Sequence, residues 1–305
     1  MNFIICFSGQ GLQNLQHIEE LRAWAEEFKI VDTLQRDLPS LYAEDISEID
    51  LYQNEFAQPF IFALQWCRWQ WIRTLLDDVM AFSGYSLGEL SALCCSTNTS
   101  FEQGLRLAHK RAMLMSHAAQ QPSGLIAVQG INLNVLNPYL QASGNELSIK
   151  LSDSSFIIGG LNDNLQQLSN MLSKVGTRTI KRLNVSIPSH TSFMQTAVLP
   201  FHQELQQHTF SDLSIPIISG SGGHKYFERQ DAVNALIQQM SHAIDWDSCM
   251  RVVQESLPDI VLEIGPGSSL SKMLLEREPN MIVRAVDDFK SRAGFETWLK
   301  GKLNI

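Results

Sequence analysis

A serine framed by glycines two positions to each side, Gly84-Tyr-Ser-Leu-Gly88, has the G-x-S-x-G spacing of a nucleophile elbow. The glycines relieve crowding in a sharp strand-to-helix turn, which lifts the Ser86 hydroxyl clear of the sheet. The same turn puts the backbone N–H of Leu87 at a helix N-terminus, where it faces the oxygen of an attacked carbonyl. A tight turn carrying an incidental serine is the bland alternative.

A serine hydroxyl attacks only when a base takes its proton. The chain has eight histidines, at 17, 109, 117, 190, 202, 208, 224 and 242. Most stand among polar neighbours, as surface residues do. His190 differs: it follows Val185-Ser-Ile-Pro-Ser189 out of an expected strand, where loops deliver catalytic groups. A hydrogen-bonded turn histidine would look the same. Arg111 adds a charge. From Leu105 to Ala119, apolar residues at 105, 108, 112, 115 and 119 line one helical face. Residues 107, 111, 114 and 118 form the adjoining stripe, of which Arg111 is the one charged member. It is either solvent-facing or a partly buried guanidinium whose fork of donors suits a carboxylate. Ser8-Gly-Gln-Gly11 lacks the third glycine of a dinucleotide fingerprint and the lysine of a P-loop. Gln10 in that turn is instead a candidate for a second oxyanion N–H.

These residues need elements to hold them. Phe3 to Phe7 reads as a buried strand ending in a glycine turn, with helices over Leu15–Phe28 and Pro59–Leu76. Val79–Phe82 is a short strand running into the Ser86 turn, followed by a helix from Leu87 to about Cys95. The stretch from 125 to 186 changes character. It reads as strand Leu125–Ile131, helix Leu133–Gln141, strands Leu147–Leu151 and Phe156–Gly160, helix Leu165–Lys174 and strand Thr179–Val185. That β-α-β-β-α-β order is ferredoxin-like, a small subdomain inserted into a larger α/β unit that resumes with strands Ile215–Ser219 and Ile260–Ile264. Glu263-Ile-Gly-Pro-Gly-Ser268 reads as a fold-forming turn, and the four basic residues from Lys174 to Arg182 as a solvated face.

Composition excludes several classes. The 305 residues carry a formal charge of −9, against the basic footprint of a nucleic-acid binder. The apolar fraction is 44% with 18% charged, ordinary for a globular core and not for disorder. Five cysteines, at 6, 67, 94, 95 and 249, match no disulfide framework and no metal-ligand spacing, so reduced, buried thiols in a cytoplasmic protein are expected. No signal peptide is apparent, and Gln65, Arg68, Gln70 and Arg73 interrupt the longest apolar-rich stretch, so no membrane association is expected.

Together these residues resemble the malonyl-CoA:acyl carrier protein transacylase family nearly end to end. The stretches that carry the resemblance are Phe7-Ser-Gly-Gln-Gly11, Gln58-Pro59, Gly84-Tyr-Ser-Leu-Gly-Glu-Leu-Ser-Ala92, Lys110-Arg-Ala-Met113, Ser186-Ile-Pro-Ser-His190, Ile244-Asp-Trp246 and Glu263-Ile-Gly-Pro-Gly267. Tyr85 in the elbow, and the tail from Arg284 to Gly294 leading to Trp298, are most similar to one branch, the epsilon (transacylase) subunit of malonate decarboxylase. The resemblance implies an α/β-hydrolase-like core with a mostly parallel sheet, formed by 1–124 and 187–305, and the ferredoxin-like subdomain at 125–186. It implies Ser86 as acyl-accepting nucleophile and His190 as its base. The N–H groups of Gln10 and Leu87 would form the oxyanion hole, and Arg111 would clamp a malonyl carboxylate. Gln239 would orient His190 through its main-chain carbonyl. The implied partners are malonyl-CoA and an acyl carrier protein, in the closer branch the decarboxylase's carrier subunit, with no metal or cofactor. Where the family carries an asparagine-proline stretch, this chain has Ile149-Lys-Leu-Ser-Asp153, and Ser8 replaces the usual proline. Malonyl loading of the fatty-acid-synthesis carrier uses the same chemistry. A serine hydrolase or thioesterase and a non-catalytic scaffold are the readings of other classes.

Overall fold

The computed structural model describes residues 1–303. Its strands are β1 (Asn2–Phe7), β2 (Asp78–Gly84), β3 (Ser123–Gln129), β4 (Glu146–Ser152), β5 (Ser155–Leu161), β6 (Thr179–Arg182), β7 (Ile217–Ile218), β8 (Lys225–Tyr226), β9 (Ile244–Asp245), β10 (Ile260–Glu263) and β11 (Val283–Ala285). They form two mixed sheets in an α/β fold. The first has the order β11-β10-β1-β2-β7-β8, parallel throughout except for the β8 edge. Phe3 to Phe7 is wholly buried, as the unbroken apolar run of a strand covered on both faces requires. Because β1 and β2 are parallel neighbours, the turns after Phe7 and after Gly84 emerge side by side at the carboxyl edge, where open α/β sheets bind ligands.

The second sheet has the order β6-β3-β5-β4-β9. Its first four strands come from residues 123–182, all antiparallel, with helices Leu133–Ser143 and Asn162–Leu172 packed on one face. The fifth, β9, comes from about 60 residues farther along the chain and pairs in parallel with β4, Ile149 opposite Ile244. One apolar cluster joins the two sheets, with Ile4 and Ala81 from the first and Leu125, Ile149 and Ile157 from the second. At the same junction buried Asp247 holds Lys150 Nζ of β4 at 3.0 Å and also binds Arg277 of the helix Ser269–Arg277.

Several expected boundaries shift, that of the central helix furthest. The central helix runs Asn54–Ile72 rather than Pro59–Leu76, with Pro59 inside it. The usual preference for proline at a first helical position is overridden because Asn54, Phe56, Ala57 and Gln58 are themselves buried. β6 stops at Arg182 rather than Val185, although the Leu183 N–H still donates to the Leu125 carbonyl of β3 at 3.0 Å. β7 shrinks to two residues, with the Ile215 carbonyl taken by the Ser96 hydroxyl at 2.6 Å. All five cysteines are buried and unpaired. Among the described residues no helix is long and apolar enough to cross a membrane.

Candidate active site

Ser86 sits between β2 and the helix Leu87–Ser96 with φ 56°, a left-handed conformation that costs a non-glycine residue about 1–3 kcal/mol. The flanking glycines let the chain make that turn. A Cβ on Gly84 would lie 2.2 Å from the Glu89 nitrogen, and one on Gly88 would lie 2.1 Å from the Phe7 carbonyl oxygen. The Tyr85 N–H donates to that same Phe7 carbonyl at 2.9 Å, tying the elbow to β1. The serine thus stands at a helix N-terminus, where the Leu87 N–H has no partner in its own helix.

His190 reaches the same point from the chain leaving β6. It too has positive φ, 61°, and its N–H donates to the Met240 carbonyl at 3.0 Å. Nδ1 donates to the main-chain carbonyl of Gln239, which fixes the tautomer and leaves Nε2 an acceptor, 2.7 Å from Ser86 Oγ. Burial pushes the imidazole pKa down to about 3, the positive charge of Arg111 adds to this, and the Gln239 bond opposes it. At neutral pH the ring is uncharged with its Nε2 lone pair on the hydroxyl.

Arg111 projects from the helix Phe101–Ala118 and is 1% exposed, more deeply buried than a partly exposed stripe residue. Nη1 donates to Gln58 Oε1 at 2.7 Å, while Nε and Nη2 have no partner. Buried donors left unpaired cost about 1–3 kcal/mol each, more when charged. Burial accordingly lowers the guanidinium pKa to about 10, opposed by Glu89. Arg111, Ser86, His190, Gln10 and Leu87 line one cavity of about 70 Å³, walled on its other side by apolar residues of the second sheet such as Leu125 and Ile149. Leu183 and Val185 also line a wider cleft of about 560 Å³ with Arg182 on its wall.

Five of the sequence-designated residues therefore meet at one cavity, and the sixth, Gln239, lies behind His190. Gln58, Asn54 and Glu89 were not singled out as site residues. Gln58 Nε2 donates to Asn54 Oδ1 at 2.8 Å, which aims its oxygen at Arg111; Asn54 in turn donates to the Ala112 carbonyl at 2.8 Å. A signal was present: Asn54, Gln58, Gln65 and Arg68 recur on one stripe of the helix, and all four are buried. His17 is also buried, unlike the surface residue its neighbours suggest, and contacts Asp287 at 2.8 Å. His17, Glu20 and Asp287 cluster, but Arg68 already supplies their counter-charge at 2.6 Å from Glu20 and 2.5 Å from Asp287. Their cleft shares no lining residue with the Ser86 cavity.

The acyl transferase domain family matches residues 16–288. The chain is 26% identical over 283 residues to the polyketide biosynthesis malonyl CoA-acyl carrier protein transacylase BaeC of Bacillus velezensis, covering 88% of this chain and 94% of that one. It is 25% identical over 314 residues to the malonyl CoA-acyl carrier protein transacylase of Haemophilus influenzae, covering 97% and 99%. Among solved structures, FabD from Acinetobacter baumannii superposes with a TM-score of 0.84 at 25% identity, covering 99% of this chain and 98% of that one. The acyl-carrier-protein-S-malonyltransferase of Bartonella henselae superposes with a TM-score of 0.87 at 20% identity, covering 99% of each.

Proposed function

This chain belongs to the acyl transferase domain family, and from that premise we propose that it moves a malonyl group from malonyl-CoA, through an ester on Ser86, to the thiol of an acyl carrier protein. The observation that carries this reading is the 2.7 Å contact of Ser86 Oγ with His190 Nε2, in one cavity with a buried guanidinium that keeps two nitrogens unpaired.

The malonyl carboxylate pairs with Arg111 Nε and Nη2, the edge Gln58 leaves open. His190 Nε2 takes the Ser86 proton as Oγ attacks the thioester carbonyl. The resulting oxyanion is held by the N–H groups of Leu87 and Gln10, each worth about 2.7–4 kcal/mol in such sites. Collapse expels the CoA thiolate, which takes the proton from His190. The carrier's thiol then gives its proton to His190 and attacks the Ser86 ester, and the serine leaves reprotonated. The Gln239 carbonyl supports the imidazolium that forms at each stage. A serine hydrolase of the Ser-Asp-His type would have a carboxylate on Nδ1; here that partner is the Gln239 carbonyl.

The finer reading assigns the carrier to malonate decarboxylase. It is supported by Tyr85, which lines the acyl cavity and packs edge-on against Trp246 at 5.2 Å, and by the 284–294 tail. We read 1–124 with 187–305 as an α/β-hydrolase-like unit and 125–186 as its ferredoxin-like insert, supported by the β6-β3-β5-β4 order. Mass spectrometry of the intact protein after malonyl-CoA tests the central step. The expected result is a stable malonyl ester on the wild type that is absent from Ser86→Ala and discharged by the added carrier. Rapid release as free malonate would mean a hydrolase, and no adduct a scaffold. Comparing the decarboxylase carrier with the fatty-acid carrier as acceptors tests the branch.

A further inference from the structure

We propose that Glu89 is a positioning residue for the Ser86–His190 pair, acting through both ends of Gln239; the inference rests on the transacylase reading above. Glu89 lies in the first turn of the elbow helix, three residues after Ser86, and is 1% exposed. Its carboxylate accepts three hydrogen bonds. Oε2 receives the Gln239 side-chain amide at 2.9 Å and the Gly220 N–H at 3.1 Å, and Oε1 receives the Ser219 hydroxyl at 2.7 Å. The same Gln239 amide lies 3.3 Å from the Ser86 carbonyl. Gln239, with no exposed surface, is thus pinned by its side chain to the helix that carries the nucleophile, while its backbone carbonyl holds His190 Nδ1. The serine and histidine arrive from segments 104 residues apart, and the Glu89–Gln239 bond ties the histidine's support to the serine's own helix.

The electrostatics agree with this role. Burial pushes the Glu89 carboxyl up to about 7, while its hydrogen bonds and the Arg111 charge pull it back toward the ionised form. The polar and titratable groups that face it are Arg111, Ser219 and Gln239, together with the Cys249 thiol, whose ionisation its charge opposes. Glu89 itself is absent from the wall of the acyl cavity, so it acts on the reacting atoms through Gln239.

Single-turnover acylation by malonyl-CoA, read as ester formation, tests this. General-base assistance is typically worth about 10²–10⁴-fold. Glu89→Ala should lower the acylation rate by about 10², the lower end of that range, without raising the KM for malonyl-CoA. Glu89→Gln should recover most of the loss, because its amide oxygen still accepts from Gln239 and Gly220 and its NH₂ can donate to Ser219. Gln239→Met, which keeps the backbone carbonyl, should match Glu89→Ala, and the double variant should be no slower than either single one. If Glu89→Ala does not fold, Gln239→Met carries the test. A wild-type rate in Gln239→Met, additive losses in the double variant, or a Glu89→Gln as slow as Glu89→Ala would each overturn the inference while the wild-type ester still stands. Absence of that ester would overturn the transacylase reading itself.

Discussion

Arg111 carries its charge into the interior with one nitrogen bonded to Gln58 and two open, an arrangement that a bidentate anion completes. Hydrogen bonds to charged groups are worth about 1.5–3 kcal/mol, so Arg111→Ala should lower kcat/KM for malonyl transfer by about 10- to 10²-fold while sparing acetyl transfer. Equal losses with both acyl donors would make the residue structural. Its removal also changes the base. With the imidazole titrating near 3, its protonation does not limit the wild-type reaction between pH 5 and 8, a range set by the ring's ordinary value of about 6.5. Deleting the neighbouring cation favours the protonated ring, so the acid limb of kcat/KM should move upward in Arg111→Ala. A pH–rate profile of both proteins reads this directly, and an unmoved limb would contradict the coupling.

The elements that bear these residues are held by small, specific fits. A methyl group on Gly88 would stand 2.1 Å from the Phe7 carbonyl, which is backbone and cannot swing aside; Gly88→Ala should therefore abolish ester formation on Ser86 even in folded protein. Farther along the sheet, Glu263 ends β10 fully buried and accepts the N–H groups of Leu270 at 3.2 Å and Ser271 at 2.8 Å, holding the start of the next helix. Burial raises its carboxyl from 4.5 to about 7, so folding takes up a proton between those values and stability falls as pH rises through them. Glu263→Gln should lack this component, gaining on the wild type in melting temperature from pH 4.5 to 7. Much of this was legible beforehand. The glycine-flanked Ser86, the buried β1 run and the order of elements from 125 to 186 are local patterns, and a sequence displays local patterns. The polar stripe of the central helix marked Gln58, but its role and that of Glu89 were not legible, because they depend on partners 53 and 150 residues distant, Arg111 and Gln239. Pairing of β9 with β4, likewise, is a two-residue strand with no periodicity to detect.

At the scale of the whole molecule, the Ser86 cavity lies between the two sheets: Ser86 follows β2 of the first, while Leu125, Ile149 and Ile157 of the second line its other wall, so its shape depends on how the sheets are joined. Asp247 is the buried ionic part of that joint, contacting Lys150 on the second sheet and Arg277 at the end of the helix Ser269–Arg277. Removing one partner of a buried pair typically costs about 3–5 kcal/mol, and because Lys150 and Arg277 are partly exposed, Asp247→Ala should lie near the lower end. Chemical denaturation would measure it, and a loss below about 1 kcal/mol, the scale of surface pairs, would rule the joint out. The sequestered thiols have a practical corollary. With every cysteine shielded and its ionisation suppressed by burial, a disulfide dye can count each molecule of coenzyme liberated without poisoning the catalyst. Incubated with resting protein, the same dye becomes a stopwatch for spontaneous opening, since only chains that have come apart can colour it.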